Sequence, residues 1–473
     1  MEEPDLQVPR LPLRPSERKV LLFFLDIILL LAAVAVALWL WALRADQPFS
    51  QSYLFSQIHW FAVLGIPWLI IAVINDFYGA ETTSKLRTTM YALLRITALM
   101  LLAYLFFYFF SPPQRLPRAV VLFFAFSSFI LVGLGRTAYL LIFKRTPFQQ
   151  RVLIVGAGWA GRTIAQVLKE RGDTSYQVMG FIDDAPWKQE QIVEGLPVLG
   201  TRRDLTSLLR EQDISSVILA ITHEIHKELF KAFLECLERG VRIIPMPILY
   251  EELTGCVPVQ HIGDNWYVAM PLDHQGTGIL YPLVKRALDV VLASIGLFFL
   301  GLTVPFIALA IHVDSPGPIF YSQERVGRGG RIFRAYKFRS MVPNAEKEGK
   351  AAWAQQGDSR VTRVGRFLRA THVDEFPQFL NIVKGEMSAV GPRPERPEFV
   401  AQLEKEIPFY RTRHCVKPGM AGWGLVKQGY GASTEDALIK LQYDLYYIKH
   451  QSVWLDLVIL LKTVVDTLTF RGR

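Results

Sequence analysis

Hydrophobic runs dominate the first third of the chain. Four of them, at roughly residues 20–43, 59–74, 89–110 and 119–143, stand between polar or basic loops. A helix needs about 20 apolar residues to cross a bilayer, so the pattern predicts four membrane spans, the second being the shortest. Residues 1–19, rich in Pro and Arg, are expected to be a disordered tail. The first apolar run is too long for a cleavable signal peptide and lacks a small-residue cleavage site, so none is expected.

The pattern then changes period. An apolar strand from Arg151 runs into Gly156-Ala157-Gly158-Trp159-Ala160-Gly161, and a helix is predicted over 163–171. A strand over 177–182 ends at Asp183-Asp184, followed by a strand over 216–221, a helix over 227–239 and a strand over 241–244. Alternating strands and helices predict a parallel sheet of Rossmann type over 146–250, with an acid about 20 residues beyond the glycines. Gly156, Gly158 and Gly161 are candidate nucleotide ligands. Trp159 puts a bulky ring inside the turn where a pyrophosphate would need close approach, so an empty fold is the competing reading.

Residues 251–281 are expected to be an irregular linker with short strands. A fifth apolar run, 290–313, follows Lys285-Arg286. Its length suits a span, but Pro305 is expected to break the helix, and both flanks are basic. A re-entrant helix over about 287–313 is therefore expected, with both ends on one side and Lys285 and Arg286 placed to hold a lipid phosphate. The run 453–470 carries Asp456, Lys462 and Asp466 among apolar residues, which suits an amphipathic helix. The fold class expected is thus a four-span helical membrane domain over 20–145, an α/β Rossmann-like domain, and a mainly α monotopic domain over 282–473.

Charge refines this picture. The 473 residues are 51% hydrophobic and carry a formal charge of +9. The basic residues sit beside apolar segments, which favours a membrane face and phosphate substrates over nucleic acid. Arg10, Arg14, Arg18 and Lys19 precede the first span, Lys85 and Arg87 follow the second, and Lys144, Arg145 and Arg151 follow the fourth. This bias places the N-terminus and everything after the fourth span in the cytoplasm. Asp26, Arg95 and Arg136 in or near the spans are expected to pair or snorkel rather than form a transport path. The three cysteines, Cys236, Cys256 and Cys415, have no metal-ligand spacing and imply no disulfide framework.

The densest chemistry lies at Thr371-His372-Val373-Asp374-Glu375-Phe376-Pro377-Gln378-Phe379-Leu380-Asn381, followed by Gly391-Pro392-Arg393-Pro394. Asp374 and Glu375 just before Pro377 suit the first turn of a helix. Such a pair is either a solvated helix start or a site for metal and phosphorus chemistry. Further motifs are Asp314-Ser315-Pro316-Gly317-Pro318, Tyr336-Lys337-Phe338-Arg339-Ser340-Met341, Asp358-Ser359-Arg360-Val361-Thr362-Arg363 and Lys417-Pro418-Gly419-Met420-Ala421-Gly422-Trp423.

Together these motifs resemble the bacterial sugar transferases, in particular the large monotopic phosphoglycosyl transferases that begin exopolysaccharide, capsule and O-antigen synthesis. The resemblance spans the chain and is most specific over 282–470. The family's usual Leu residues flanking the Asp-Glu pair are Val373 and Phe376 here, and its Pro-Gly-Ile/Leu-Thr-Gly-Trp pattern reads Pro418-Gly419-Met420-Ala421-Gly422-Trp423. The resemblance implies transfer of hexose 1-phosphate from a UDP-hexose, glucose or galactose, to undecaprenyl phosphate, releasing UMP. It implies Asp374 as nucleophile, Glu375 as Mg²⁺ ligand, and Arg393, Lys337, Arg339 and Arg360 as phosphate or nucleotide contacts. It further implies a homodimer in a bacterial inner membrane. Two other readings compete with it. A membrane-bound NAD-dependent nucleotide-sugar dehydratase would need a Tyr-x-x-x-Lys motif and a second glycine fingerprint that the chain lacks. A non-catalytic nucleotide sensor leaves Asp374-Glu375 unexplained.

Overall fold

The computed structural model describes residues 15–109, 118–143, 149–171, 176–221, 227–259, 280–343, 345, 358–429 and 433–468. Arg10, Arg14, Arg115, Lys144 and Arg145 lie outside them, as does most of the expected tail and linker. The chain divides into two compact units, Met1–Met246 and Pro247–Arg473.

In the first unit, helices α1 (Pro15–Arg44), α3 (His59–Ile74), α5 (Leu86–Phe109) and α6 (Arg118–Phe143) correspond to the four apolar runs. Two short helices, α2 (Gln51–Ser56) and α4 (Ala80–Ser84), lie between them. Stretches of α1, α5 and α6 are long and apolar enough to cross a membrane, whereas α3 has 16 residues and is shorter than a standard span. Leu38, Trp68, Leu93 and Phe124 are buried where these helices pack. Asp26 and Arg136 pair at 2.6 Å, both buried, with the guanidinium 4.3 Å above the Phe77 ring. That is the pairing expected of ionisable groups at such depth.

The α/β part of this unit is built on β1 (Gln150–Val155), α7 (Trp159–Arg171), β2 (Tyr176–Ile182), β3 (Ile192–Val193), β4 (Leu196–Gly200), α8 (Leu205–Glu211), β5 (Ser216–Leu219), α9 (Lys227–Glu238) and β6 (Arg242–Pro245). The sheet order is β3-β4-β2-β1-β5-β6, parallel except for β3 against β4. β1 pairs with β2 and β5 at its two edges, and its Val152–Val155 run is buried, as expected of a parallel strand covered on both faces. The antiparallel β3–β4 ribbon and α8 were not anticipated. They come from short segments with weak periodicity.

In the second unit the expected linker begins instead with a helix, α10 (Met246–Thr254). Glu251 on it is buried and pairs with Lys449 at 2.9 Å. The fifth apolar run is one continuous helix, α11 (Leu280–Asp314), which passes through Pro305 without the expected break. Proline removes one backbone donor, and the rest of the 35-residue ladder carries the helix across. Phe298, Phe299, Phe306 and Leu309 on α11 are exposed. The hairpin β7 (Phe320–Val326) and β8 (Ile332–Phe338) follows, then α12 (Arg363–Ala370), α13 (Phe379–Lys384), β9 (Ser388–Val390), α14 (Pro397–Glu406), β10 (Gly419–Ala421), α15 (Trp423–Gln428), α16 (Thr434–Lys449) and α17 (Val453–Leu468). The unit is mainly helical, with two two-stranded sheets, β7–β8 antiparallel and β9–β10 parallel.

The glycine turn of the first unit gives a direct test. A Cβ on Gly161 would sit 1.9 Å from the Gly156 carbonyl oxygen, whereas one on Gly158 meets nothing within 4 Å. Gly161→Ala should destabilise the unit by about 1–3 kcal/mol, as overpacking does, and Gly158→Ala should change stability far less. Thermal unfolding of the two variants checks this.

Candidate active site

Asp374 and Glu375 lie in the first turn of a short 3-10 helix, Val373–Gln378, that leads directly into α13. His372 precedes it with φ 57°, a left-handed residue that turns the chain sharply out of α12. Both acids are buried. This excludes the solvated helix start.

Their surroundings differ. Glu375 Oε1 accepts from Lys337 Nζ at 2.7 Å and from Arg393 Nη2 at 2.5 Å, and Oε2 accepts from Arg393 Nη1 at 3.1 Å. Burial alone would push Glu375 up, but the Arg393 and Lys337 charges outweigh it and hold the carboxyl well below its usual range. No described group donates a hydrogen bond to the Asp374 carboxylate. Burial, then the neighbouring Glu375 charge, push Asp374 up to about 6. The result is one buried carboxylate locked between cations and one buried carboxylate with no cation bonded to it and a raised proton affinity.

Strand geometry explains Lys337. Alternation along β8 places it on the same face as Phe333 and Ala335, which are buried. Asn381 on α13 bonds the carbonyl of Arg334 and the N–H of Tyr336, fixing the helix against that strand. Arg393 is aimed by the Gly391-Pro392-Arg393-Pro394 turn. A Cβ at Gly391 would lie 2.4 Å from the Lys417 carbonyl oxygen, so only glycine lets β9 and β10 close this tightly. Arg325 Nη1 donates to the Pro394 carbonyl at 3.0 Å, and Arg413 Nη2 to the Arg393 carbonyl at 3.0 Å. Arg413 also pairs with Asp444 at 2.8 Å, both buried.

The other predicted residues separate from this centre. Lys285 Nζ bonds Asp456, Tyr447 and the Val390 carbonyl, each at 3.0 Å. Arg286 donates to the carbonyls of Ile382 and Val383, capping the end of α13 where a cation is favourable. Lys417, to which no role was assigned from the sequence, stands beside them. A Cβ on Gly385 would lie 3.5 Å from its Nζ and 3.7 Å from Arg286 Nη2. Arg339 is buried and donates to the carbonyls of Ser315 and Pro316, so it holds the end of α11. Arg360 forks onto Asp358. In the first unit, Gly156, Gly158 and Gly161 form the β1–α7 turn, and its Ala157 N–H donates to Asp183 at 2.8 Å. A cavity of about 380 Å³ reaches Glu375 but not Asp374, with His372, Arg393, Phe376 and Lys427 also in its wall.

No group of three or more His, Cys, Asp or Glu side chains placed to hold a metal occurs among the described residues. Two adjacent carboxylates still fit Mg²⁺, which is commonly held by one or two carboxylates together with substrate phosphates. Asp374 is the member with no cation bonded to it among the described residues. Glu375 would reach a metal only in exchange for Lys337 or Arg393.

Residues 280–470 match the bacterial sugar transferase family, and residues 73–247 match a CoA-binding domain. The UDP-N-acetylgalactosamine-undecaprenyl-phosphate N-acetylgalactosaminephosphotransferase of Aeromonas hydrophila is 36% identical over 341 residues, 70% of this chain and 77% of its own length. The chain belongs to the bacterial sugar transferase family. The UDP-glucose:undecaprenyl-phosphate glucose-1-phosphate transferase of Xanthomonas campestris pv. campestris is 33% identical, covering 67% of this chain and 66% of that one. The undecaprenyl-phosphate glucose phosphotransferase of Komagataeibacter xylinus is 31% identical, covering 67% of this chain and 58% of that one. The acidic pair and the Gly-Pro-Arg-Pro turn of this sugar transferase both fall inside the matched segment.

Arg413 and Asp444 were missed or only loosely placed from sequence, because their pairing joins residues 31 positions apart. Asp444→Ala should destabilise the second unit by about 3–5 kcal/mol, since it strands a buried guanidinium. Denaturant unfolding measures that loss, and activity should fall with it because Arg413 also holds the Arg393 backbone.

Proposed function

We propose that this transferase moves a sugar 1-phosphate from a UDP-sugar to undecaprenyl phosphate and releases UMP, with the phosphosugar carried on Asp374 between the two half-reactions. The observation that carries the reading is the division of the acidic pair, with Glu375 neutralised by Lys337 and Arg393 and Asp374 buried with no cation bonded to it and a raised proton affinity. A desolvated carboxylate of raised basicity is the better nucleophile. An Asp374 oxygen attacks the β-phosphorus, and the bond from that phosphorus to the bridging oxygen breaks. The electron pair leaves on UMP. An oxygen of undecaprenyl phosphate then attacks the same phosphorus and releases the Asp374 carboxylate, leaving a sugar diphosphate on the lipid.

Arg393 and Lys337 bring positive charge to the diphosphate while holding Glu375 in place. Mg²⁺, held by Glu375 in exchange for Lys337 or Arg393 and by substrate phosphates, would supply charge neutralisation for the leaving group. The relatives name both glucose and N-acetylgalactosamine, so the donor is read as a UDP-hexose or its 2-acetamido form. Lys285, Arg286 and Lys417 are read as the positive field that attracts the lipid phosphate at the base of α11. α11, with its exposed apolar face, is read as dipping into one leaflet, with the catalytic unit cytoplasmic in an inner membrane and the chain dimeric.

Incubation with Mg²⁺, undecaprenyl phosphate and a panel of UDP-sugars should give lipid-dependent UMP. Asp374→Asn should lower that rate by about 10³-fold or more, the scale seen when a nucleophile is removed. No lipid-dependent UMP from any UDP-sugar would refute the reading.

A further inference from the structure

Residues 248–259 lie between the segment matched to a CoA-binding domain, which ends at 247, and the sugar transferase match, which begins at 280. They are nevertheless built into the core of the second unit. Val257 and Val259 are buried in the same cluster as Trp423, Leu441, Leu445 and Ile448, and the Val257 N–H donates to the Gln442 carbonyl at 3.0 Å. Glu251 of α10 is buried and meets Lys449 Nζ at 2.9 Å and His450 Nε2 at 3.2 Å, at the C-terminal end of α16. Gly255 closes α10. Its left-handed φ of 71° lets its N–H reach back to the Glu251 carbonyl at 2.8 Å. Its own carbonyl accepts from Trp423 Nε1 at 3.0 Å.

Trp423 is buried and opens α15. Its ring stacks with that of Tyr446 at 6.4 Å between centroids, and Tyr446 lies 4.4 Å from the His450 ring that Glu251 holds. The segment therefore grips one aromatic set at two points, the indole edge through Gly255 and the His450 end through Glu251. One helical turn beyond Trp423, Lys427 holds its ammonium over the indole at 4.8 Å from the ring centroid. Lys427 also lines the cavity that His372, Glu375 and Arg393 share. A cation in that wall favours an anionic ligand. We propose that residues 248–259 are a positioning strap of the active site: through the Gly255 carbonyl and the Trp423 ring they set where Lys427 stands in the cavity wall, and so govern affinity for the anionic nucleotide sugar. The inference rests on the transferase reading above. That reading puts the lipid phosphate at the base of α11, which leaves this cavity to the nucleotide sugar. Glu251, Gly255 and Trp423 are positioning residues that act through Lys427.

The test is steady-state UMP release by the full-length protein, varying in turn undecaprenyl phosphate and the UDP-sugar that wild type uses best. Lys427→Gln should lower kcat/KM for the UDP-sugar about tenfold or more, the scale of a lost charged contact, and leave kcat/KM for the lipid within about twofold. Trp423→Phe keeps an aromatic ring and removes the donor to Gly255. It should lower kcat/KM for the UDP-sugar about three- to tenfold, the scale of one neutral hydrogen bond, with kcat and the lipid kcat/KM within about twofold. In the double variant the two losses should not multiply. Its kcat/KM for the UDP-sugar should lie within about twofold of that of Lys427→Gln alone, because both changes act through one ammonium group. Glu251→Gln loosens the other grip and should shift kcat/KM for the UDP-sugar in the same direction; it decides the question if Trp423→Phe does not fold. The proposal is overturned if the losses of Trp423→Phe and Lys427→Gln multiply, or if kcat/KM for the lipid falls in place of that for the UDP-sugar. It is also overturned if the folded strap variants keep the wild-type kcat/KM for the UDP-sugar. A wild-type protein that releases no UMP from any UDP-sugar overturns the transferase reading itself.

Discussion

Two buried carboxylates on adjacent residues repel each other, and the catalytic unit is arranged around how that repulsion is resolved. Two cations arrive at Glu375, from β8 and from the Gly-Pro-Arg-Pro turn, and none is bonded to Asp374. Burial disfavours charge on both acids, so the asymmetry of partners decides their roles. Glu375 becomes a fixed anion that orients Lys337 and Arg393. Asp374 keeps a high proton affinity and has no cation bonded to it among the described residues. Neighbouring groups of the same type thus acquire different chemistry from their second partners.

The supports of that asymmetry reach far from it. Asn381 locks α13 to β8, Arg413 and Arg325 hold the backbone of the Arg393 turn, and Gly391 permits the close β9–β10 pairing. Asp289 on α11 accepts from Ser388 Oγ and the Ala389 N–H, fastening β9 to the apolar helix. Lys285 and Arg286 fasten the same helix to α17 and α13. The segment with an exposed apolar face is therefore bolted directly to the elements that aim the acidic pair. An enzyme moving a sugar phosphate from a water-soluble donor to a lipid phosphate needs that coupling.

Much of this was legible in the chain. Apolar runs located α1, α3, α5 and α6, because long helices of one period leave an unmistakable pattern. The β1 strand and its glycine turn were legible for the same reason. The acidic pair and Arg393 were found as local motifs, and the structure brings them together with Lys337. What sequence could not give was long-range pairing. Arg339 and Arg360 look like phosphate ligands by charge, yet one anchors the end of α11 and the other forks onto a carboxylate two residues away. Lys417 and Arg413 gain their importance only from neighbours distant in the chain. Pro305 was expected to break α11 and does not, since one missing donor is a small perturbation in so long a ladder.

The central claim is that Asp374, which no cation bonds, and not the cation-locked Glu375 carries the transferred group. Peptide mapping by mass spectrometry, after incubation with the preferred UDP-sugar and no lipid acceptor, addresses it directly. The account predicts a phosphosugar adduct on the peptide containing Asp374, removed on adding undecaprenyl phosphate. An adduct on Glu375 or elsewhere, or lipid-linked product formed by an enzyme that never carries one, would contradict it.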